Sequence, residues 1–133
     1  MNIKGTRTEQ NLWNAFAGES QARNKYIFYG QKAEADGEVE IAKLFNDTAL
    51  QEETHAKLIF NYLTGVKDSI SNLRDASQGE FYEATTLYQE YDRVAREEGF
   101  EEIADFFKEL QTIEADHERR YKEMIRKLVA KKS

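Results

Sequence analysis

GEVEIAKLFNDTALQEETH (37–55) aligns without a gap onto GFEEIADFFKELQTIEADH (99–117), at an offset of 62. Gly, Glu, Ile, Ala, Phe, Glu and His coincide, and each stretch closes on Glu-x-x-His: Glu52 with His55, and Glu114 with His117. Upstream, Gly18-Glu19 matches Gly79-Glu80 at an offset of 61. One helical hairpin therefore occurs twice, and the second copy has taken one extra residue into its first helix. Helices commonly absorb a single insertion as a π-bulge, often beside a functional site. The repeat predicts such a break in the α ladder between Glu80 and Val94.

Outward from the repeat, four helical stretches can be read. Thr6-x-x-Glu9 is a capping box for the first, which runs to the Asp36-Gly37 break. The second spans about Val39 to Leu63 and stops at Gly65. Ser71 or a neighbour caps the third, which ends before Gly99; the fourth runs from about Glu102 almost to the lysine-rich C-terminus. The expectation is an all-α single domain, 1–133, built from hairpins at about 6–64 and 71–131.

The polar residues of the repeat fall in phase with the apolar ones. Ile41, Phe45, Thr48, Glu52, His55, Ile59 and Tyr62 follow steps of four and three, as do Ile103, Phe107, Leu110, Glu114, His117, Tyr121, Met124 and Leu128. Leu12, Phe16, Glu19 and Tyr26 share a stripe on the first helix; Leu73, Ala76, Glu80, Glu83 and Leu87 share one on the third. Such spacing is the inward seam of a helix bundle, so every helix is expected to carry glutamate into the core. Burying several carboxylates together is strongly unfavourable unless a cation neutralises them. Arg23 is at the edge of a stripe at best, so divalent metal is the fitting counter-charge. The chain contains two histidines in all, and both carry Glu three residues earlier. One Glu from each of two helices with Glu-x-x-His from the other two is the ligand pattern of dinuclear carboxylate bundles. Ligands without sulfur suit iron or manganese and can hold zinc.

Composition narrows the alternatives. Proline and cysteine are absent, which suits long helices and leaves no disulfide, thiol nucleophile or cysteine-held iron among these 133 residues. A formal net charge of −6 argues against nucleic-acid or anionic-membrane partners. No apolar run reaches the roughly 20 residues of a membrane span, and the first residues lack the apolar core of a signal peptide. A cytoplasmic protein is expected.

At AFAGESQARNKY (15–26), EETHAK (52–57), GEFYEATTLY (79–88), REEGFEEIA (96–104) and EADHERRY (114–121) the chain resembles the ferritin-like di-iron domain of rubrerythrins. The resemblance implies that Glu19, Glu52 and His55 serve one iron, that Glu80, Glu114 and His117 serve the other, and that Glu52 and Glu114 bridge them. It implies a further ligand in Glu83, which alternates with His55 between oxidised and reduced states. It also implies that Tyr26 and Tyr88 orient ligand carboxylates by hydrogen bonds. The implied activity is a non-haem di-iron peroxidase that reduces hydrogen peroxide to water in oxidative-stress defence. Two irons would be the cofactor, with manganese or zinc as substitutes. Rubrerythrins usually carry a rubredoxin-like domain with four cysteines; no cysteine occurs here, so electrons are expected from an external rubredoxin-like or NAD(P)H-linked donor. The alternatives are a ferroxidase or iron-handling protein, a manganese catalase, and a bundle that holds zinc for structure alone.

A ferritin-like arrangement would also place His55 and Glu80 at one level on parallel helices. The return path is then roughly 27 Å along the bundle at about 1.5 Å per residue, with about 10 Å sideways. The six residues Gly65 to Ile70 reach only about 20 Å. A domain-swapped homodimer is therefore expected, with each metal pair shared between chains; the alternative is a simple up-down bundle within one chain.

Overall fold

The computed structural model describes residues 1–132, with side-chain exposure given through Lys131. It contains α1 (Arg7–Ala35), α2 (Val39–Tyr62), α3 (Ser69–Tyr82), a π-turn (Glu83–Leu87), α4 (Tyr88–Glu97) and α5 (Glu101–Lys132). No strand occurs among the described residues. With α3, the π-turn and α4 read as one interrupted helix, this is the all-α, four-helix make-up of a ferritin-like chain. The residues fall into two compact units, Met1–Val66 and the part from Lys67 onward.

The first unit is the α1–α2 hairpin. Thr6 caps α1 through its hydroxyl, which accepts from the Glu9 backbone N–H at 3.0 Å. The Glu9 carboxylate reaches back to the N–H of Gly5 at 3.2 Å, one residue before the usual partner in a capping box. The turn after α1 closes with the Glu38 N–H on the Ala33 carbonyl at 2.8 Å, and the turn after α4 repeats this with Phe100 on Ala95. Both turns need a left-handed residue, and Gly37 (φ 77°) and Gly99 (φ 87°) supply it without a Cβ penalty. The repeat thus extends to the hairpin bends.

What closes each hairpin differs from the expected seam. The buried apolar residues are all alanines: Ala33, Ala42, Ala49, Ala56, Ala84, Ala95 and Ala104. On α2 the buried alanines recur every seven residues, roughly 80° round the helix from the Ile41–Tyr62 stripe. Small side chains let two helices approach closely, and the buried residues of α1 are likewise small, Gly30 and Ala33. The stripe expected to face inward is only partly covered: Phe45, Ile59, Phe107 and Leu110 are half-buried, while Ile41 is 47% exposed, Tyr62 63% and Ile103 48%. Within one hairpin the apolar arc is wider than a single neighbour can cover, and the alanine edge is the part that packs.

The second unit is α3, the π-turn and α4 lying against α5. Asp68 caps α3, accepting from the Ser71 N–H at 2.8 Å, so Ser71 itself stands inside the first turn. The predicted π-bulge is present at Glu83–Leu87, where the Tyr88 N–H bonds to the carbonyl of Glu83 five residues back. An aromatic trio dates the insertion along the chain. Tyr26, Tyr29 and Phe45 in the first hairpin match Tyr88, Tyr91 and Phe107 in the second at an offset of 62, with tyrosine-to-Phe centroid separations of 5.9 and 5.4 Å in both. Since Glu19 and Glu80 differ by 61, the extra residue lies between Glu80 and Tyr88. The π-turn absorbs it, which keeps Glu80 and Tyr88 on one face.

Candidate metal centre

Each hairpin gathers one triad from its own two helices. Glu19 of α1 meets Glu52 and His55 of α2; Glu80 of α3 meets Glu114 and His117 of α5. In each triad one donor atom per residue lies within 4.8 Å of the other two. His55 Nδ1 is 3.8 Å from Glu19 Oε2 and 3.7 Å from Glu52 Oε2. His117 Nδ1 is 3.5 Å from Glu80 Oε1 and 3.9 Å from Glu114 Oε2.

These separations exceed a hydrogen bond. They suit donors that share an ion, since ligands at roughly 2.1 Å from one metal stand about 3–4 Å apart. A second observation agrees. Among the described residues, the buried side-chain oxygens without a hydrogen-bond partner are Glu19 Oε2 and Glu80 Oε2, one in each triad. An orphaned buried carboxylate oxygen is costly, and a divalent cation would satisfy it. Oxygen and nitrogen donors without sulfur fit iron, manganese or zinc.

The second hairpin adds Glu83, whose carboxylate lies close enough to that of Glu114 for the two charges to interact. Burial first, then the Glu114 and Glu83 carboxylates, push Glu80 up to about 7. Burial and Glu114 raise Glu83 as well. Glu114 is lowered, because Glu80 and Glu83 can donate hydrogen bonds to it. Three carboxylates this close retain a proton unless a cation replaces it.

The expected residues are thus brought together within each hairpin, though not in the buried setting the seam implied. The His55 side chain is 55% exposed and that of His117 37%. One hairpin alone covers its triad on a single side. Tyr26 and Tyr88 pack through their rings against Phe45 and Phe107. Among the described residues neither hydroxyl donates to a carboxylate of its own hairpin; Tyr88 is raised by burial and by the nearby charges of Glu83 and Glu114. Arg23 takes no part in the triad and pairs with Glu53 at 3.5 Å.

One residue of this neighbourhood escaped the motif reading. Gln111 donates through Nε2 to the Tyr88 carbonyl at 3.1 Å. The signal was available in the repeat: Ala42 matches Ala104, but Ala49 is matched by Gln111, a long polar residue in the alanine register.

Comparison with known proteins agrees with this geometry. The Rubrerythrin family profile matches residues 10–125. Rubrerythrin of Nitratidesulfovibrio vulgaris is 42% identical over an alignment of 139 positions that takes in 95% of this chain and 73% of the relative. Rubrerythrin of Porphyromonas gingivalis is 44% identical, over 90% of this chain and 66% of the relative. The chain thus spans about two thirds to three quarters of these relatives. A solved structure described as the fully reduced, all-ferrous state of nigerythrin aligns at 28% identity with a TM-score of 0.49, covering 92% of this chain and 68% of that one. With the family profile matching most of its length and both triads in place, this chain belongs to the rubrerythrin family.

Proposed function

We propose that the chain is a non-haem di-iron peroxidase, in which hydrogen peroxide, two electrons and two protons give two molecules of water. The observation that carries this reading is Glu83. It is a carboxylate beyond the two symmetric triads, set against Glu114 by a π-turn that the first hairpin lacks. A site that only stored or passed on metal has no need of the asymmetry.

Glu19, Glu52 and His55 would hold one iron and Glu80, Glu114 and His117 the other, with Glu52 and Glu114 common to both. When bound, the iron pair supplies the two electrons that divide the O–O bond. Glu83 and His55 would be the alternative holders of one iron, Glu83 in the oxidised state and His55 in the reduced state. Freed from the metal, the Glu83 carboxylate can carry a proton to a departing oxygen. Tyr26 and Tyr88 would orient ligand carboxylates by hydrogen bonds. The electrons come from an external rubredoxin-like or NAD(P)H-linked donor. No helix among the described residues is long and apolar enough to cross a membrane, in keeping with a cytoplasmic setting.

The working unit in this reading is a single ferritin-like bundle completed by domain swapping in a homodimer. The link Leu63–Asp68 has six residues, which span about 20 Å at most. That is short of the return path a ferritin-like order requires within one chain. The half-covered triads and the exposed Ile41 and Ile103 give a second copy something to cover.

Stopped-flow oxidation of the iron-loaded, fully reduced protein tests the activity. Peroxide is expected to react faster than dioxygen; faster oxidation by dioxygen would replace this reading with a ferroxidase.

A further inference from the structure

We propose that Gln111 is a positioning residue that clamps the π-turn and so fixes where Glu83 is presented. The inference rests on the Glu83 role given above.

The geometry is a short relay. Gln111 Nε2 donates to the backbone carbonyl of Tyr88 at 3.1 Å. The N–H of the same residue donates to the carbonyl of Glu83. Tyr88 is therefore held from α5 at one end of its peptide and holds Glu83 at the other. Phe107, one turn before Gln111 on α5, stacks on the Tyr88 ring at 5.9 Å and 18°. Ring and carbonyl are gripped from one helix, so Tyr88 cannot shift along α5 without losing both contacts.

The first hairpin shows what the clamp is for. There Tyr26 and Phe45 meet at the same 5.9 Å but tilted by 38°, α1 is an uninterrupted helix, and the residue matching Gln111 is Ala49, buried in the seam. A regular helix needs no outside donor, whereas a π-turn is a rare single-turn break in the α ladder, and a contact from outside the helix can fix its place. The added amide appears where the insertion is. It is half-buried, so its hydrogen bond is shielded from water.

The test uses the full-length protein with Gln111→Met, which keeps length but removes the donor, and Gln111→Ala, which installs the residue of the first hairpin. Amide hydrogen exchange is the first readout. In both variants the Tyr88 amide is expected to exchange about tenfold faster, while that of Tyr26, the internal reference, keeps its rate. The second readout is the midpoint potential of the iron-loaded protein. If Glu83 favours the oxidised state, then Glu83→Ala raises the potential, and Gln111→Met raises it by up to a tenfold change in ferric preference, 59 mV for one electron. In the Glu83→Ala background Gln111→Met should then add nothing.

Unchanged Tyr88 exchange overturns the clamp. So does a potential shift that persists without Glu83, or equal acceleration at Tyr26, since either makes Gln111 a general stabiliser. A Glu83→Ala variant with unaltered potential removes the Glu83 reading itself, which is a different failure.

Discussion

Nδ1 of His117 stands 3.5 Å from Oε1 of Glu80 on the facing helix, and the other oxygen of that carboxylate is buried without a partner. Two donors are poised together while neither satisfies the other. In the first hairpin His55 Nδ1 stands 3.8 Å from Glu19 Oε2, which is itself the buried oxygen without a partner. The arrangement makes sense for a guest cation and makes little sense as a structural ion pair.

Removing either histidine should therefore cost metal and not fold. For His55→Ala and His117→Ala we expect metal content, measured by elemental analysis, to fall from two ions per chain towards one. Both side chains are substantially exposed in a single chain, so the stability of the metal-free monomer should change by no more than about 0.5 kcal/mol. A metal-free melting point that drops sharply would assign the histidines to packing.

Stability of the metal-free protein should fall as pH rises between about 4.5 and 7. Glu80 titrates near 7 when folded, against 4.5 as its ordinary value. In that window the folded chain keeps a proton that the unfolded chain has released, so deprotonation favours unfolding. Glu83, also raised, acts in the same sense, and Glu114, lowered, opposes it in part. Thermal melts in chelator are expected to show this slope. Melts with saturating ferrous iron should show the reverse, because the cation displaces the proton.

Glu83→Ala should slow the peroxide reaction by about 10²-fold, the scale of a lost proton-transferring group. Alanine is a good helix former, so the helical circular dichroism should persist. Equal slowing with dioxygen and peroxide would point to general damage at the site.

The dimer can be tested on the exposed stripe. Ile41 and Ile103 are about half exposed in a single chain, and Ile103→Asp there would cost little, within about 0.5 kcal/mol. In a swapped bundle both residues become core. The variant should then melt well below the parent and lose concentration dependence. The parent should elute at twice the 15.5 kDa chain mass; a metal-loaded monomer would refute the swap.

The alanine seam makes its own prediction. Ala49 is 4% exposed between α1 and α2, so Ala49→Leu should destabilise the protein by about 1–3 kcal/mol through overpacking. Leu50→Ala, next to it but 65% exposed, should have a far smaller effect in denaturant unfolding.

Most of the helical structure was legible in advance, because its causes are local. Thr6 and Glu9, and the glycines at 37 and 99, act within a turn of their own positions. The insertion was legible too, since a shift in offset between Glu80 and the later repeat can be counted without coordinates. Carboxylates and histidines in phase with leucine positions called for a cation, while their division into two triads was what the resemblance to rubrerythrins implied.

The identity of the packing face was a different matter. A heptad pattern marks an apolar arc, and on α2 that arc spans both the Ile41–Tyr62 stripe and the Ala42–Ala49–Ala56 edge. The reading assigned the inward role to the large residues, because apolar area dominates any periodicity count. The hairpin closes on the small ones, because helix separation is limited by side-chain bulk and alanine permits the nearest approach. Gln111 was invisible for a related reason. Its hydrogen bond runs to a backbone carbonyl 23 positions earlier that only the π-turn brings within reach. By itself, then, the sequence determined the helices, their caps, the doubled Glu-x-x-His motif and the place of the extra residue, all of which depend on neighbours in the chain. Only the tertiary structure decided which face each helix gives its partner and how the π-turn beside Glu83 is held, since both depend on distances between residues far apart in sequence.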